Sequence, residues 1–207
     1  MQKTAHILGL FVLLGLAACT PTVISDAAQA AFEDRITEDQ VTDLKIASNL
    51  LGRLAQKDKN LALDIGVDVW EQRMLLTGTL DDGATIDTVV EMARADGRLK
   101  IIYNEIRLVS TSERAARREQ SETSDSGAKT GLKQTVSDYW IETKIKGQLL
   151  TAKDVRSVNY RWRSVKNTVY LIGRARSAEE LDSVLTFIRD TKGVGNVKHF
   201  VEIKPVS

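Results

Sequence analysis

The chain has 207 residues, 43% of them hydrophobic and 28% charged, with 29 Lys/Arg against 28 Asp/Glu and a single cysteine, Cys19. One cysteine excludes an internal disulfide framework and any cysteine-ligated metal site. The net charge of +1 hides an asymmetry: residues 20–112 carry ten Lys/Arg against sixteen Asp/Glu, a net −6, and residues 132–207 carry fourteen against eight, a net +6. Two such halves are expected to meet different electrostatic partners.

The N-terminal stretch "MQKTAHILGLFVLLGLAACT" has Lys3 in a short polar lead, an apolar run from Ile7 to Leu16, and then small residues. That is the pattern of a secretory signal, because a membrane-spanning helix needs roughly 20 apolar residues. Leu16-Ala17-Ala18-Cys19 matches the bacterial lipobox. Residues 1–18 are then a lipoprotein signal peptide, Cys19 is the acylated first mature residue, and 19–37 is a tether. The alternative is an ordinary signal cleaved after Ala18, which leaves a free thiol.

From there the chain repeats itself at an offset of 95 residues: Asp43 with Asp138, Ile46 with Ile141, Gly52 with Gly147, Leu54 with Leu149, and later Gly78 with Gly173 and Val89 with Val184. Between these blocks the register is expected to slip, with a longer first copy after its opening helix and a longer hairpin in the second. Two copies are too few for a solenoid, so each must bury its own core. In each, an amphipathic helix opens the unit, from about Glu38 to Leu54 and from about Ser137 to Leu150. Two alternating strands follow, "ALDIGVDVW" with "RMLLTGTL" and "SVNYRW" with "TVYLIGRA", the latter pair turned at Lys166-Asn167. A second helix comes next, "ATIDTVVEMARAD" and "SAEELDSVLTFIRDT", with Ser177-Ala178-Glu179-Glu180 as a capping box. The strands "KIIYNEIRLV" and "NVKHFVEIKPV" close the units. The order αββαβ predicts an α+β fold of two helices on one small sheet, twice over. The domain boundaries fall at 38–110 and 132–207. Residues 111–131 read as a polar linker, helical around Glu113 to Glu119 and too polar to pack.

The stretch "SDYWIETKIKGQLL", residues 137–150, holds the main candidate site. Ile141, Ile145 and Leu149 make its buried stripe, whereas Trp140 points away, next to Thr143, Lys144 and Gly147. Trp and Tyr favour a membrane interface because the ring is apolar while the N–H or O–H stays wet. Lys144 and Lys146 beside Tyr139 and Trp140 can reach phosphate. The first copy has Leu44 and Lys45 at these places, so the fold does not demand the aromatic pair. The competing reading packs Trp140 against the other domain or the linker. Trp70 and Trp162 read as core or sheet-face residues.

The second half, from "SDYWIETKIKGQLL" through "VYLIG" to Gly193-Val194, resembles a BON domain, and with the lipobox the whole chain resembles tandem BON-domain lipoproteins of the outer membrane. The resemblance implies two BON domains, each with two helices packed on a small mixed sheet. It further implies a lipid-anchored, periplasm-facing protein whose second domain binds anionic phospholipid, phosphatidylglycerol foremost, and which supports outer-membrane integrity. Tyr139, Trp140, Thr143, Lys144, Lys146 and Gly147 are its lipid-binding residues on this reading. The rival is a scaffold that contacts an envelope assembly machine or peptidoglycan.

No enzyme is legible. His199 is a lone histidine on the last strand, and neither a nucleophile–base set nor a metal cluster accompanies it. No cofactor is expected. Asp43 and Asp138 read as favourable charge near a helix N-terminus, and Gly78 and Gly173 as strand ends without a phosphate loop. Glu113 and Glu119 balance Arg114, Arg117 and Arg118, which excludes a nucleic-acid-binding tail.

Overall fold

The computed structural model describes residues 32–116, 119 and 138–205. The signal peptide, Cys19 and most of the tether, together with linker residues 117–118 and 120–131, lie outside the described residues.

The first half opens with helix α1, Thr37–Lys57, whose Ile46, Leu50 and Leu54 form a buried stripe at intervals of four. Asp58 stops α1 by adopting an extended conformation and then caps a second, short helix, α2 (Lys59–Asp64), by accepting from the Asn60 N–H at 2.9 Å. That cap corrects the expected strand start at Ala62, since residues 62–64 finish α2. Strand β1 begins at Ile65 and runs to Trp70. It is followed by β2 (Arg73–Leu80), α3 (Gly83–Arg94) and β3 (Ile101–Leu108). The second half repeats this with α4 (Asp138–Thr151), a 3-10 turn (Ser157–Asn159), β4 (Tyr160–Val165), β5 (Thr168–Ala175), α5 (Ala178–Arg189) and β6 (Asn196–Ile203). In each half the middle strand pairs antiparallel with the first and parallel with the third, giving two three-stranded mixed sheets.

The offset of 95 holds without a slip through all six strands, from Ile65 and Tyr160 to Leu108 and Ile203. The expected difference in hairpin length is thus corrected. Both hairpins turn in two residues, Glu71-Gln72 (φ 50° and 63°) and Lys166-Asn167 (φ 52° and 60°). All four are left-handed, the backbone of a tight hairpin turn, and a side chain there costs roughly 1–2 kcal/mol.

One carboxylate in each half holds the turn in place. Asp43 accepts from the Glu71 and Gln72 N–H groups at 2.7 and 2.8 Å. Asp138 accepts from those of Lys166 and Asn167, both at 3.0 Å, and from the Ser164 hydroxyl at 2.7 Å. The two aspartates therefore tie the opening helix to the hairpin; Asp138 also stands in the first turn of α4, as its reading as helix-terminus charge expected, whereas Asp43 lies beyond the first turn of α1. Gly78 and Gly173 are likewise more than strand ends. At φ +126° and +155°, an added Cβ would stand 2.1 Å from the Asp64 carbonyl oxygen and 2.2 Å from that of Asn159. Only glycine fits there. The capping box forms by half: Ser177 accepts from the Glu180 N–H at 3.2 Å, but the Glu180 carboxylate turns to the N–H groups of Arg156 and Arg176, both at 2.8 Å.

Helices cover one face of each sheet, over separate cores built on α1 and α3 and on α4 and α5. The other faces meet, and the described residues from Glu33 onward form one compact unit. Trp70, Leu75, Val165, Tyr170 and Ile172 are buried between the sheets. Trp70 and Val165 are repeat equivalents, as are Leu75 and Tyr170. Tyr103 stacks on Phe200 with centroids 4.3 Å apart, and the equivalent pair, Lys198 with Glu105, is an ion pair at 2.7 Å. Asp68 pairs at 3.1 Å with Arg163, its own counterpart. These reciprocal contacts are those of an isologous interface, formed here within one chain.

The charge asymmetry closes this interface. Among the described residues, eight cations of the second half pair with acids of residues 33–113, including Lys166 with Glu113 at 2.5 Å and Lys204 with Glu71 at 2.5 Å. The opposite charges of the two halves thus meet across this interface. The start of the linker packs as well, against expectation. Residues 111–116 are helical, and Arg114 holds Asp64 at 2.6 Å and Asp81 at 2.5 Å.

Removing a turn anchor should be severe, because it leaves left-handed residues without their hydrogen bonds. Asp138→Ala is expected to cost about 2–4 kcal/mol, since bonds to a charged acceptor contribute roughly 1.5–3 kcal/mol each and are not additive. Urea unfolding of the mature chain measures this loss.

Candidate functional site

Two neighbouring stripes of α4 carry the sequence-derived residues. At 100° per residue, Tyr139, Thr143 and Lys146 lie on one stripe, and Trp140, Lys144 and Gly147 on the next. The buried Ile141, Ile145 and Leu149 take the opposite side. Tyr139 is 71% exposed, and Leu150, which sequence reasoning did not single out, continues its stripe at 58% exposure. Leucine at the end of an amphipathic helix reads as core from sequence. Its spacing of four from Lys146 is the signal that places it outside.

Trp140 is half-buried and packs against the second-half core, with the Lys144 ammonium 5.3 Å from the centre of its ring. That distance is within cation–π range. The indole is thus a platform beneath a lysine, and the phenol beside it projects furthest. Thr143 donates to the Tyr139 carbonyl at 2.9 Å, a bond within the helix. On the inner flank, Trp162 Nε1 donates to the Glu142 carbonyl at 3.2 Å, and the Ser164 N–H donates to the Glu142 carboxylate at 2.7 Å. Burial pushes that carboxyl above its ordinary range. Trp70 is fully buried between the sheets, and Trp162 packs on the helix side of its own sheet.

Gly147 lies on open helix surface, with nothing within 4 Å of an added Cβ, and so does its counterpart Gly52. The fold does not need glycine at either position. Near the C-terminal half of α4, Thr191 donates to Gln148 Oε1 at 2.6 Å. The loop that follows contains Gly193 at φ +94°, whose carbonyl accepts from Asn167 Nδ2 at 2.6 Å. The hairpin turn thereby fixes the loop beside the helix.

The helical layer of the second half is nearly neutral. Lys144, Lys146, Lys153, Arg189 and Lys192 are exposed there, against exposed Asp154, Glu179, Asp182 and Asp190, a balance of five to four. Attraction for an anion therefore rests on the local pair Lys144 and Lys146 and not on the +6 of the half. On α1, the equivalents of Lys144, Lys146 and Leu150 are Asn49, Leu51 and Ala55, so the first half has no matching arrangement.

Among the described residues no group of His, Cys, Asp and Glu could hold a metal ion, and no helix is long and apolar enough to cross a membrane. His199 is exposed on β6.

The model of the BON domain matches residues 137–205, the span from α4 through β6. An uncharacterized protein in the gshII 5′ region of Anaplasma centrale is 32% identical over 140 residues, 68% of this chain and 82% of that protein. The chain belongs to the BON-domain family. The BON match covers the half that holds the candidate site, and the first half repeats its element order. A 21 kDa hemolysin of Actinobacillus pleuropneumoniae is 26% identical over 162 residues, 77% of this chain and 71% of that one. Among solved structures, CdsD, a structural protein of the type III secretion system of Chlamydia trachomatis, is 12% identical with a TM-score of 0.31, over 81% of this chain and 93% of that one. A likeness that slight supports no argument.

The glycines make a contrast that thermal melting can read. Gly147→Ala should stabilise the BON domain by about 0.5–1 kcal/mol, because it removes backbone entropy from an open helix position. Gly173→Ala should prevent folding or destabilise severely, since its Cβ has no space.

Proposed function

We propose that this BON-domain protein is a non-catalytic, lipid-anchored envelope protein of the DolP (YraP) type, with tandem BON domains. On this reading Cys19 is acylated, the protein faces the periplasm from the outer membrane, and the second domain binds anionic phospholipid such as phosphatidylglycerol. Its role is to support envelope integrity. The association of BON domains with phospholipid binding and envelope proteins supports this reading.

The observation that carries it is the outward face of α4. Tyr139 is exposed on the stripe that Lys146 continues two turns on, and Lys144 is held over the Trp140 ring. An amphipathic ring at headgroup depth with cations at phosphate level is the arrangement an anionic interface favours. The second reading is a scaffold contacting an envelope assembly machine or peptidoglycan. It draws on α1, where Val41 and Leu44 are exposed on a half whose sequence is acidic. Such a face suits a protein partner better than an anionic bilayer.

The intact chain must be used to separate these readings. The isolated second half would bare the eight cations that pair with the first, and those would bind anionic vesicles regardless of α4. With the soluble chain 20–207 and phosphatidylglycerol vesicles, Tyr139→Glu should abolish cosedimentation. Lys144→Glu with Lys146→Glu should weaken it about thirtyfold or more, at roughly 1 kcal/mol for each lysine. Melting should be unchanged in both, because these side chains are exposed. Tyr139 is a cleaner probe than Trp140, whose ring also packs on the core. Unaltered vesicle binding by both variants would move the lipid site off α4. Anchoring is tested separately: Cys19→Ala should block lipidation and leave the protein soluble or with its signal uncleaved, since it removes the attachment point of the several acyl chains that stable anchoring needs.

A further inference from the structure

Three charged residues just before α1 engage more of the second half than of the first. The Asp34 carboxylate accepts from Asn159 Nδ2 at 2.7 Å and Arg176 Nε at 2.9 Å, and lies 3.3 Å from Arg156 Nε. Its backbone N–H donates to Asn159 Oδ1 at 2.9 Å, and its carbonyl accepts from Arg174 at 3.2 Å. Asn159 is fully buried, so both of its polar ends are committed to this one residue. Glu33, its side chain buried, pairs with Arg161 of β4 and with Arg35. Arg35 in turn pairs with Asp43, the first-half turn anchor, at 2.5 Å. Its guanidinium lies 4.4 Å from the centre of the Trp70 ring, with that of Arg161 at 5.5 Å.

The geometry points to a receptor for an acidic peptide on the second half, formed by Asn159, Arg161, Arg174 and Arg176, which the chain's own Glu33-Asp34 occupies as a clasp holding the halves closed. The sites on either side differ in what they require. Asn159 and Arg174 read the main chain of Asp34, and Arg176 and Arg161 read the two carboxylates. Partial burial acts to raise the Asp34 carboxyl, but Arg176 and Asn159 hold it below its ordinary range, as a bound anion should be. The clasp lies between the proposed anchor and α1. From Cys19 to Glu33 the chain is 14 residues, a reach of at most roughly 50 Å. A membrane tether attached there would pull on the seam between the halves and not on the first half alone.

Linking a ligand in cis gives it an effective concentration in the millimolar range, and that sets the test. In the soluble chain 20–207, Glu33→Ala with Asp34→Ala should lower the melting temperature and raise amide exchange at least tenfold in β4 and β5. A peptide of residues 30–36, AAFEDRI, added at millimolar concentration should reverse both effects. The same peptide with lysine at both acidic positions should not. Arg176→Gln, which removes a single contact to Asp34, should shift exchange in the same direction and weaken rescue. If the double alanine variant does not fold, Glu33→Gln with Asp34→Asn keeps the shapes and takes its place. Unchanged exchange in the variants, or equal rescue by the lysine peptide, overturns the proposal.

Discussion

A three-stranded sheet with helices on one side has a second face that must go somewhere, and here the second faces go to each other. Trp70, Leu75, Val165, Tyr170 and Ile172 are buried there, and burying side chains of this size stabilises by roughly 1.5–3 kcal/mol each. A single αββαβ unit would leave such a face in water, at a cost that weighs most on a small domain. The remaining features follow from this packing. It turns both helical layers outward, that of α1 and α3 as well as that of α4 and α5. It brings Asp68 against Arg163 and Glu105 against Lys198, and it leaves a seam across which Glu33 and Asp34 lie.

The seam changes what the charge of the halves means. Read from composition, +6 on the second half looks like a field for anionic lipid. In the folded chain eight of those cations face acids of the first half, and the helical layer that remains is close to balanced. Exposed ion pairs contribute little individually, but the pairs at this interface form a network around a buried tryptophan. Their main effect is to set which faces meet and in what register, while apolar burial supplies the stability. A functional argument from net charge must therefore be made on the surface left over after the halves have paired.

Much of the fold was legible in the sequence, because local rules carry it. The amphipathic helix α1, the period-four stripe of α4, the Lys166-Asn167 turn and the boundaries of β2 and β5 all stand where pattern and turn chemistry put them. What was not legible is long-range. Asp43 and Asp138 repeat visibly, but nothing local says that a carboxylate in a helix grips a turn 28 residues away in sequence, as Asp43 does with the Glu71 N–H. Glu71-Gln72 has no turn signature of its own, and its left-handed pair is stabilised from outside by that carboxylate. The two-sided burial of Trp70 is hidden for the same reason, since one strand's alternation cannot report what covers its other face. At the candidate site the aromatic pair was visible, but the division of labour was not. The phenol of Tyr139 is the projecting ring, and Trp140 is partly packed.

Comparing repeat-equivalent positions separates the two kinds of constraint. Asp43 and Asp138, Ile46 and Ile141, Gly78 and Gly173 are identical across the offset, and each acts within its own half. Core positions that differ keep their apolar character, as Leu50 and Ile145 or Met74 and Val169 do, whereas several seam positions change their charge. One pair at the seam, Asp68 with Arg163, shows this. Because position 68 meets its own counterpart, two copies of the first half packed this way would place Asp against Asp, and two copies of the second would place Arg against Arg. Like charges at such a contact oppose association, whereas Asp68 with Arg163 favours it. The divergence of one symmetric position thus makes each half a poor partner for itself and a good one for the other. It favours closure of the sheet faces within the chain, with the helices of both halves on the outside.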